Sequence, residues 1–474
     1  MSLVSKKVEV AYQQCIRPSC GAQFDVCESL SRCPRCGELL DVQYRWEKVK
    51  LPKRLKEFSE GFGRARRTGS GVWRYEALLP FAPENAIISI GEGKTILANS
   101  SGVEEYTGMK SGRAYLQYEG LNPSGSFKDN GMTAGFTHAN MVGAKCAACA
   151  STGNTSASLA LYAAATGLMR AIVFVGSGKI AFGKLSQALE AGALTVQIDG
   201  DFDDAMARVQ EASAREGIYL LNSVNPFRLE GQKTIMYRVL EGLGWEPPDW
   251  VIVPGGNLGN SSAFGKAFDE LNKLGLLARV PRLAVINSIG APTFERLVNE
   301  RKLAWNEGKV NDTTIQGYYA ELDARGEKAR TVASAIEINR PVNLKKALRA
   351  LAVTEGVVRT ASDTEILDAK AVVGRSGLGC EPASAASVAG LKKLVAEGVI
   401  SKSDRVACVL TGHALKDPNM TVAYHGWEEE AYQEKYAGYG LGARGLRNLP
   451  VSAPNEIESI LAKVREHLCG QASS

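Results

Sequence analysis

No apolar run in this chain approaches the roughly 20 residues needed to cross a bilayer, so no membrane-spanning helix is expected. The opening Met-Ser-Leu-Val-Ser-Lys-Lys lacks the apolar core of a secretory signal, which makes the cytoplasm the expected location. Internal repeats and low-complexity segments are also missing, and a repeat architecture is not expected. Residues 45–74 hold ten Lys or Arg against three Glu. No aromatic-basic motif accompanies that stretch, which favours a solvated connector over a nucleic-acid or membrane footprint.

What is present is ordinary for a globular protein. The chain has 474 residues, 45% hydrophobic and 23% charged, enough for two or three domains with a sizeable core. Five of its ten cysteines fall within residues 15–36. There, Cys15-x4-Cys20-Gly and Cys33-Pro-Arg-Cys36-Gly form two knuckles, each closed by a glycine that permits a tight turn. Cys15, Cys20, Cys33 and Cys36 suit a tetrahedral zinc site, and in a reducing compartment metal is a better account than disulfides. So short a unit could hardly fold on apolar burial alone; metal would supply the missing free energy. Four thiolates leave no open position, so the site reads as structural. Cys27 remains a fifth thiol able to substitute for a ligand. Cys146 and Cys149 form a C-x-x-C, but on a strand they would point to opposite faces and read as core residues.

From about residue 113 strand-like and helix-like segments alternate. The strand candidates are 113–118, 145–150, 170–175, 194–198, 219–221, 250–253, 282–287 and 405–410, with helices such as 156–165, 180–191 and 202–215 between them. This alternation predicts an α/β fold of parallel-rich sheets flanked by helices, with ligands beyond the carboxyl ends of the strands. Each of the polar loops that follow lies at such a place.

Leu121-Asn-Pro-Ser-Gly-Ser-Phe-Lys128-Asp-Asn-Gly131 puts a lysine just past a turn of little bulk, where partial desolvation would make the amine nucleophilic. Ser151-Thr-Gly-Asn-Thr-Ser156 offers more hydroxyls and donors at a helix start than an N-cap needs, which favours an anion. Gly255-Gly-Asn-Leu-Gly-Asn260 follows a strand and opens a helix, so its backbone N–H groups can turn onto a phosphate. In Asn222-Ser-Val-Asn-Pro-Phe-Arg228, an arginine at a helix start opposes the helix dipole unless an anion sits nearby. Lys184 is a candidate helper for that anion, equally readable as a solvated helix lysine.

Taken together with Glu381-Pro-Ala-Ser-Ala-Ala-Ser387 and Thr411-Gly-His-Ala-Leu-Lys-Asp-Pro418, these six segments resemble, in family order, those of threonine synthases. Those enzymes belong to the tryptophan-synthase-β-like, fold type II pyridoxal-phosphate enzymes. The likeness runs from about Trp73 to Asp417, and zinc-ribbon-like extensions resembling the cysteine unit precede some microbial members. Ile96 departs from the family pattern, which usually has proline after Thr95.

The resemblance implies a two-domain fold divided as 1–44 (cysteine unit), 45–112 (basic connector), 113–220 (small α/β domain) and 221–474 (large domain with the phosphate loop). It implies pyridoxal 5′-phosphate bound through Lys128, with Gly256, Asn257, Leu258, Gly259 and Asn260 around its phosphate. Asn154 would meet its phenolic oxygen and Thr411 its ring nitrogen. Ser151, Thr152 and Thr155 would take the substrate carboxylate; Asn222, Ser223, Arg228 and Asn257 would take a substrate phosphate. The implied reaction turns O-phosphohomoserine and water into threonine and phosphate, in a homodimer. Cysteate synthase, using phosphoserine and sulfite, and a threonine or serine dehydratase are the neighbouring readings.

Overall fold

A computed structural model of the chain describes residues 9–62, 69–176, 182–200 and 202–470. Three antiparallel strands, β1 (Ala11–Cys15), β2 (Gln23–Asp25) and β3 (Leu40–Tyr44), form the N-terminal sheet in the order β2-β1-β3. Next come β4 (Ile96–Asn99) and β5 (Ala114–Tyr118), then β6 (Cys146–Ala150), β7 (Arg170–Gly176), β8 (Leu194–Ile198) and β9 (Tyr219–Leu220). The last four are β10 (Trp250–Pro254), β11 (Arg282–Ser288), β12 (Val357–Ala361) and β13 (Val406–Leu410). They assemble into a six-stranded sheet, β12-β11-β10-β13-β5-β4, parallel except for β4, and a parallel four-stranded sheet, β8-β7-β6-β9.

β10 (WVIVP) and β13 (VACVL) are buried at every residue, as continuous apolar runs should be when helices cover both faces of a parallel sheet. Strand alternation divides the packing. Val251, Val253, Ala407 and Val409 meet residues of helices Pro226–Gly242, Gly259–Lys273 and Leu344–Thr354. Trp250, Ile252, Cys408 and Leu410 meet helices Asp363–Arg375 and Pro382–Ala396.

All eight strand candidates of the sequence are strands, within a residue or so at each end. The boundary expected at 113 differs, because β5 lies in the six-stranded sheet, paired in parallel with β13 from Ala114 against Val406 to Tyr118 against Leu410. Only the chain after β5 crosses to the smaller sheet, and it returns after β9. Cys149 is buried and Cys146 half-buried.

Nor does the cysteine unit stand apart. Ala11, Val26, Val42 and Tyr44 share a core with Trp73, Phe81, Met141 and Phe227. Lys345 pairs with Glu38, and Asp41 pairs with Lys346 at 3.0 Å and Arg349 at 2.6 Å. Those charges hold the Asp41 carboxyl well below the usual range although burial opposes it. In the connector, Lys50, Lys53, Arg54 and Lys56 are exposed while Leu55 and Phe58 pack into the main core, as a solvated arm with an inward stripe would.

Helix Lys128–Met141 crosses helix Pro226–Gly242 at very short range. A Cβ on Gly231 would sit 1.8 Å from the Asn130 carbonyl oxygen, and one on Gly131 would sit 2.9 Å from that of Arg228. The glycines let the two backbones touch one turn from Lys128. Gly231→Ala is expected to force the helices apart at a cost of about 1–3 kcal/mol, read as a lower urea midpoint.

Candidate active site

A cavity of about 420 Å³ opens at the carboxyl ends of β6, β10 and β13, between the two larger sheets. Lys128 is set in its wall as the first residue of helix Lys128–Met141. The preceding turn is sewn to the end of β13. Phe127 N–H donates to the Thr411 carbonyl at 2.8 Å, and His413 N–H donates to the Gly125 carbonyl at 2.9 Å. The Lys128 amine rests 4.0 Å from the centroid of the Phe127 ring. Burial, with help from the positive charge of Arg228 and against the pull of Glu381, lowers its pKa to about 7.

Ser151, Thr152, Asn154 and Thr155 line the cavity where β6 runs into helix Asn154–Thr166. The Ser151 hydroxyl accepts the Gly153 N–H at 3.2 Å, which shapes the turn. The Asn154 amide donates to both carboxylate oxygens of Glu381 at 3.0 Å. Thr411, at the end of β13, shares a 2.9 Å hydrogen bond with Ser384 and donates to Glu381 at 3.4 Å.

Gly256, Asn257, Leu258, Gly259 and Asn260 form another stretch of the wall. Leu258 caps helix Gly259–Lys273 with φ 61°, a left-handed conformation that costs a leucine about 1–2 kcal/mol and is held by the surrounding contacts. A Cβ on Gly256 would press on Ala335 and Ile336 at about the 3.1 Å the backbone leaves there. Asn257 is fixed by segment 342–343: Val342 N–H donates to its side chain at 3.3 Å and Asn343 N–H to its carbonyl at 3.1 Å. Just inside the helix, Asn260 Oδ1 and Ser261 Oγ are buried without a partner among the described residues. Free helix-start N–H groups beside an unspent hydroxyl make a cradle for a phosphate.

The proposed substrate-phosphate group divides. Asn222 and Ser223 line the cavity, but the Asn222 amide is spent on Ala150, accepting from its N–H and donating to its carbonyl, both at 3.0 Å. Asn222 thereby extends β6 by one pairing. Arg228 does not reach the wall. It is wholly buried behind it, against Gly131 and Gly135, with Nη1 donating to the Leu221 carbonyl at 2.8 Å. Burial draws its pKa down to about 10, which leaves it charged at neutral pH. Among the described residues its Nε and Nη2 have no partner. The side chain of Lys184 lies outside the described residues.

Three parts of the cavity went unread in the sequence: Glu381, Lys416 and the segment Ser334–Ile338. Glu381 precedes a proline at a helix start, where an acid reads as a cap; its side chain makes no capping bond and faces Asn154 instead. Burial raises its pKa, against the Asn154 amide and the charges of Lys416 and Lys128. Lys416 lies in the same motif as Thr411, where a charged residue in a turn reads as solvated surface.

With Lys128 tuned to about 7, its amine should be mostly unprotonated above that pH and mostly protonated below it. In cofactor-free protein, labelling of Lys128 by an amine reagent should therefore rise through a midpoint near pH 7, against roughly 10.4 for an exposed lysine. Mass spectrometry of the labelled peptide measures it.

Residues 88–412 match the family described as "Pyridoxal-phosphate dependent enzyme". A threonine synthase of Methanocaldococcus jannaschii is 42% identical over 411 residues, covering 86% of this chain and 94% of that one. The chloroplastic threonine synthase 2 of Arabidopsis thaliana is 34% identical over 474 aligned residues, covering 95% and 84%. The crystal structure of threonine synthase from Escherichia coli superposes with a TM-score of 0.62 at 16% identity, over 96% of this chain and 100% of that one, a likeness of fold. A lysine in the wall of a polar cleft, a helix-start cradle in the same wall, and this degree of identity over nearly whole chains converge: the chain belongs to the threonine synthases of the pyridoxal-phosphate dependent enzyme family.

Proposed function

We propose that the chain converts O-phosphohomoserine and water into L-threonine and inorganic phosphate, with Lys128 as the catalytic residue. The observation that carries this reading is the cleft itself. An amine with a pKa near 7 lines the same cavity as a helix-start cradle whose buried polar atoms are unspent among the described residues. The donor set fits pyridoxal phosphate: Gly256 to Asn260 would hold its phosphate, Lys128 its aldehyde carbon, Asn154 its phenolic oxygen and Thr411 its ring nitrogen. Held there, the cofactor supplies an electron sink for negative charge developing beside the substrate's amine.

The chain's own residues do the rest. Ser151, Thr152 and Thr155 receive the α-carboxylate at the start of helix Asn154–Thr166, where the helix dipole favours negative charge. Ser223, Asn257 and, from behind the wall, the charge of Arg228 draw in the substrate phosphate, beside an Asn222 whose amide is held by Ala150. The Lys128 amine, unprotonated above a pKa of about 7, takes a proton from Cα and another from Cβ as phosphate leaves Cγ, and returns protons to Cγ and, once water has added at Cβ, to Cα. Thr411 offers a hydroxyl where an aspartate would keep the ring nitrogen protonated, so the expulsion of phosphate carries more of the driving force.

The cysteine unit completes the reading. The four Sγ atoms of Cys15, Cys20, Cys33 and Cys36 all lie within 4.8 Å of one another, and Cys20 and Cys33 are 3.8 Å apart. Tetrahedral zinc with Zn–S bonds of about 2.3 Å needs sulfurs roughly 3.8 Å apart. Cys27 lies outside that group of ligands. The unit would hold one structural zinc. The same reading makes the enzyme a cytoplasmic homodimer without nucleic-acid or membrane partners; no helix among the described residues is long and apolar enough to cross a membrane.

A substrate panel tests the activity: phosphate release should occur with O-phosphohomoserine and yield threonine. Phosphoserine with sulfite, and free serine or threonine, should give neither phosphate nor a new product. Lys128→Ala should lower turnover at least about a thousandfold and abolish borohydride-fixed cofactor on the Lys128 peptide. Metal analysis should find about one zinc per chain, and Cys33→Ala should release it and lower the melting temperature. A metal-free protein that folds and melts like the metal-loaded form excludes the zinc site.

A further inference from the structure

Lys416, in the turn after β13, has no part in the chemistry above, yet its side chain lies on the cavity wall. Its Nζ donates to the Ser124 carbonyl at 3.0 Å and to the side-chain oxygen of Gln187. Ser124 belongs to the turn before Lys128, and Gln187 to helix Phe182–Glu190 beside the four-stranded sheet. The ammonium thus joins the turn before Lys128 to a helix beside the four-stranded sheet. Both acceptors are uncharged, and an ammonium has three donors, so among the described residues one remains to be spent.

The carboxylates it senses, Glu381 and Asp129, are engaged elsewhere. Glu381 receives Asn154, while Asp129 receives the Ser124 N–H at 2.7 Å and the Ser158 hydroxyl. A half-buried ammonium without a bonded counter-charge is costly unless a ligand brings the charge. Among the described residues, the other cation on the wall is Lys128, which the cofactor would occupy, while Arg228 sits behind the wall. A substrate with two anionic groups therefore meets, on that wall, one ammonium that no carboxylate bonds among the described residues.

We propose that Lys416 is a substrate-binding residue whose ammonium contacts an anionic group of the substrate, its phosphate or its α-carboxylate, in the cavity that it lines. The inference rests on the reading of the substrate as a phosphorylated amino acid. A charge-assisted contact of this kind changes affinity by about ten- to a hundredfold.

Lys416→Met in the cofactor-loaded enzyme should raise KM for O-phosphohomoserine by about that factor and change kcat by only a few fold. The cofactor absorbance of the free enzyme should stay as in wild type, and Lys416→Arg should recover part of the affinity. Two titrations identify the group contacted. If it is the phosphate, inhibition by inorganic phosphate weakens in the variant while L-threonine, followed by the cofactor spectrum, binds as before. If it is the carboxylate, L-threonine binding weakens and phosphate inhibition does not. Either pattern upholds the assignment. Unchanged constants in all three measurements, or loss of cofactor from the variant itself, overturn it. Should wild-type enzyme fail to release phosphate from O-phosphohomoserine, the substrate reading falls, and the two titrations alone still decide the role of Lys416.

Discussion

Two backbone hydrogen bonds carry more of this structure than their number suggests. Phe127 N–H to Thr411 and His413 N–H to Gly125 join segments nearly 290 residues apart into a short antiparallel seam. The seam fixes where the lysine stands relative to the end of β13. Everything the cleft does depends on that distance, since a lysine's four-carbon stem would otherwise sample many positions. Gly125 allows the seam by adopting φ 82°, and Phe127 places its ring beneath the amine. The close helix crossing at Gly131 and Gly231 supports the same lysine from the other side.

Buried charge is of two kinds. Arg238 and Glu119 pair at 2.8 Å and share further bonds with Thr95 and Asn130. Lys233 is bonded to both Glu230 and Glu270 at 2.6 Å. Those groups are satisfied, and they hold helices together. At the cleft the pattern reverses. Among the described residues Lys128 is desolvated without an ion-paired partner and Arg228 keeps two nitrogens unspent, while the Glu381 carboxyl is shifted toward its neutral form. Local charges left incomplete in an otherwise well-paired interior mark where a ligand is expected.

The sequence made much of this legible for identifiable reasons. Strands such as β10 and β13 are apolar from end to end, and the glycine-rich and hydroxyl-rich loops follow them directly, so the ends of the sheet could be read as one site. The cysteine spacing likewise pointed to a cluster that the four thiols form. Less visible was β12, an edge strand in which Val358 and Ala361 are buried and the residues between are half-exposed, so that neither alternation nor a continuous run appears. Position 228 shows a different limit: an arginine at a helix start suggests a nearby anion, but only tertiary packing shows that it stands behind the wall. The family resemblance implies a phosphate ligand at Asn222, whereas the fold uses that amide to finish a strand. Glu381 was hidden because a cap and a site residue look alike before the chain is folded.

The N-terminal sheet lends its backbone to the body: the carbonyls of Val26, Leu40 and Val42 accept from His138, Lys346 and Lys266, all buried. A shortened chain beginning after Tyr44 would strand two ammonium groups and an imidazole at a freshly bared surface, one of them on the helix that starts at Lys128. The small sheet is thus less an ornament that could be trimmed than a missing wall of the interior, and a minimal version of this catalyst would have to rebuild that wall in some other material.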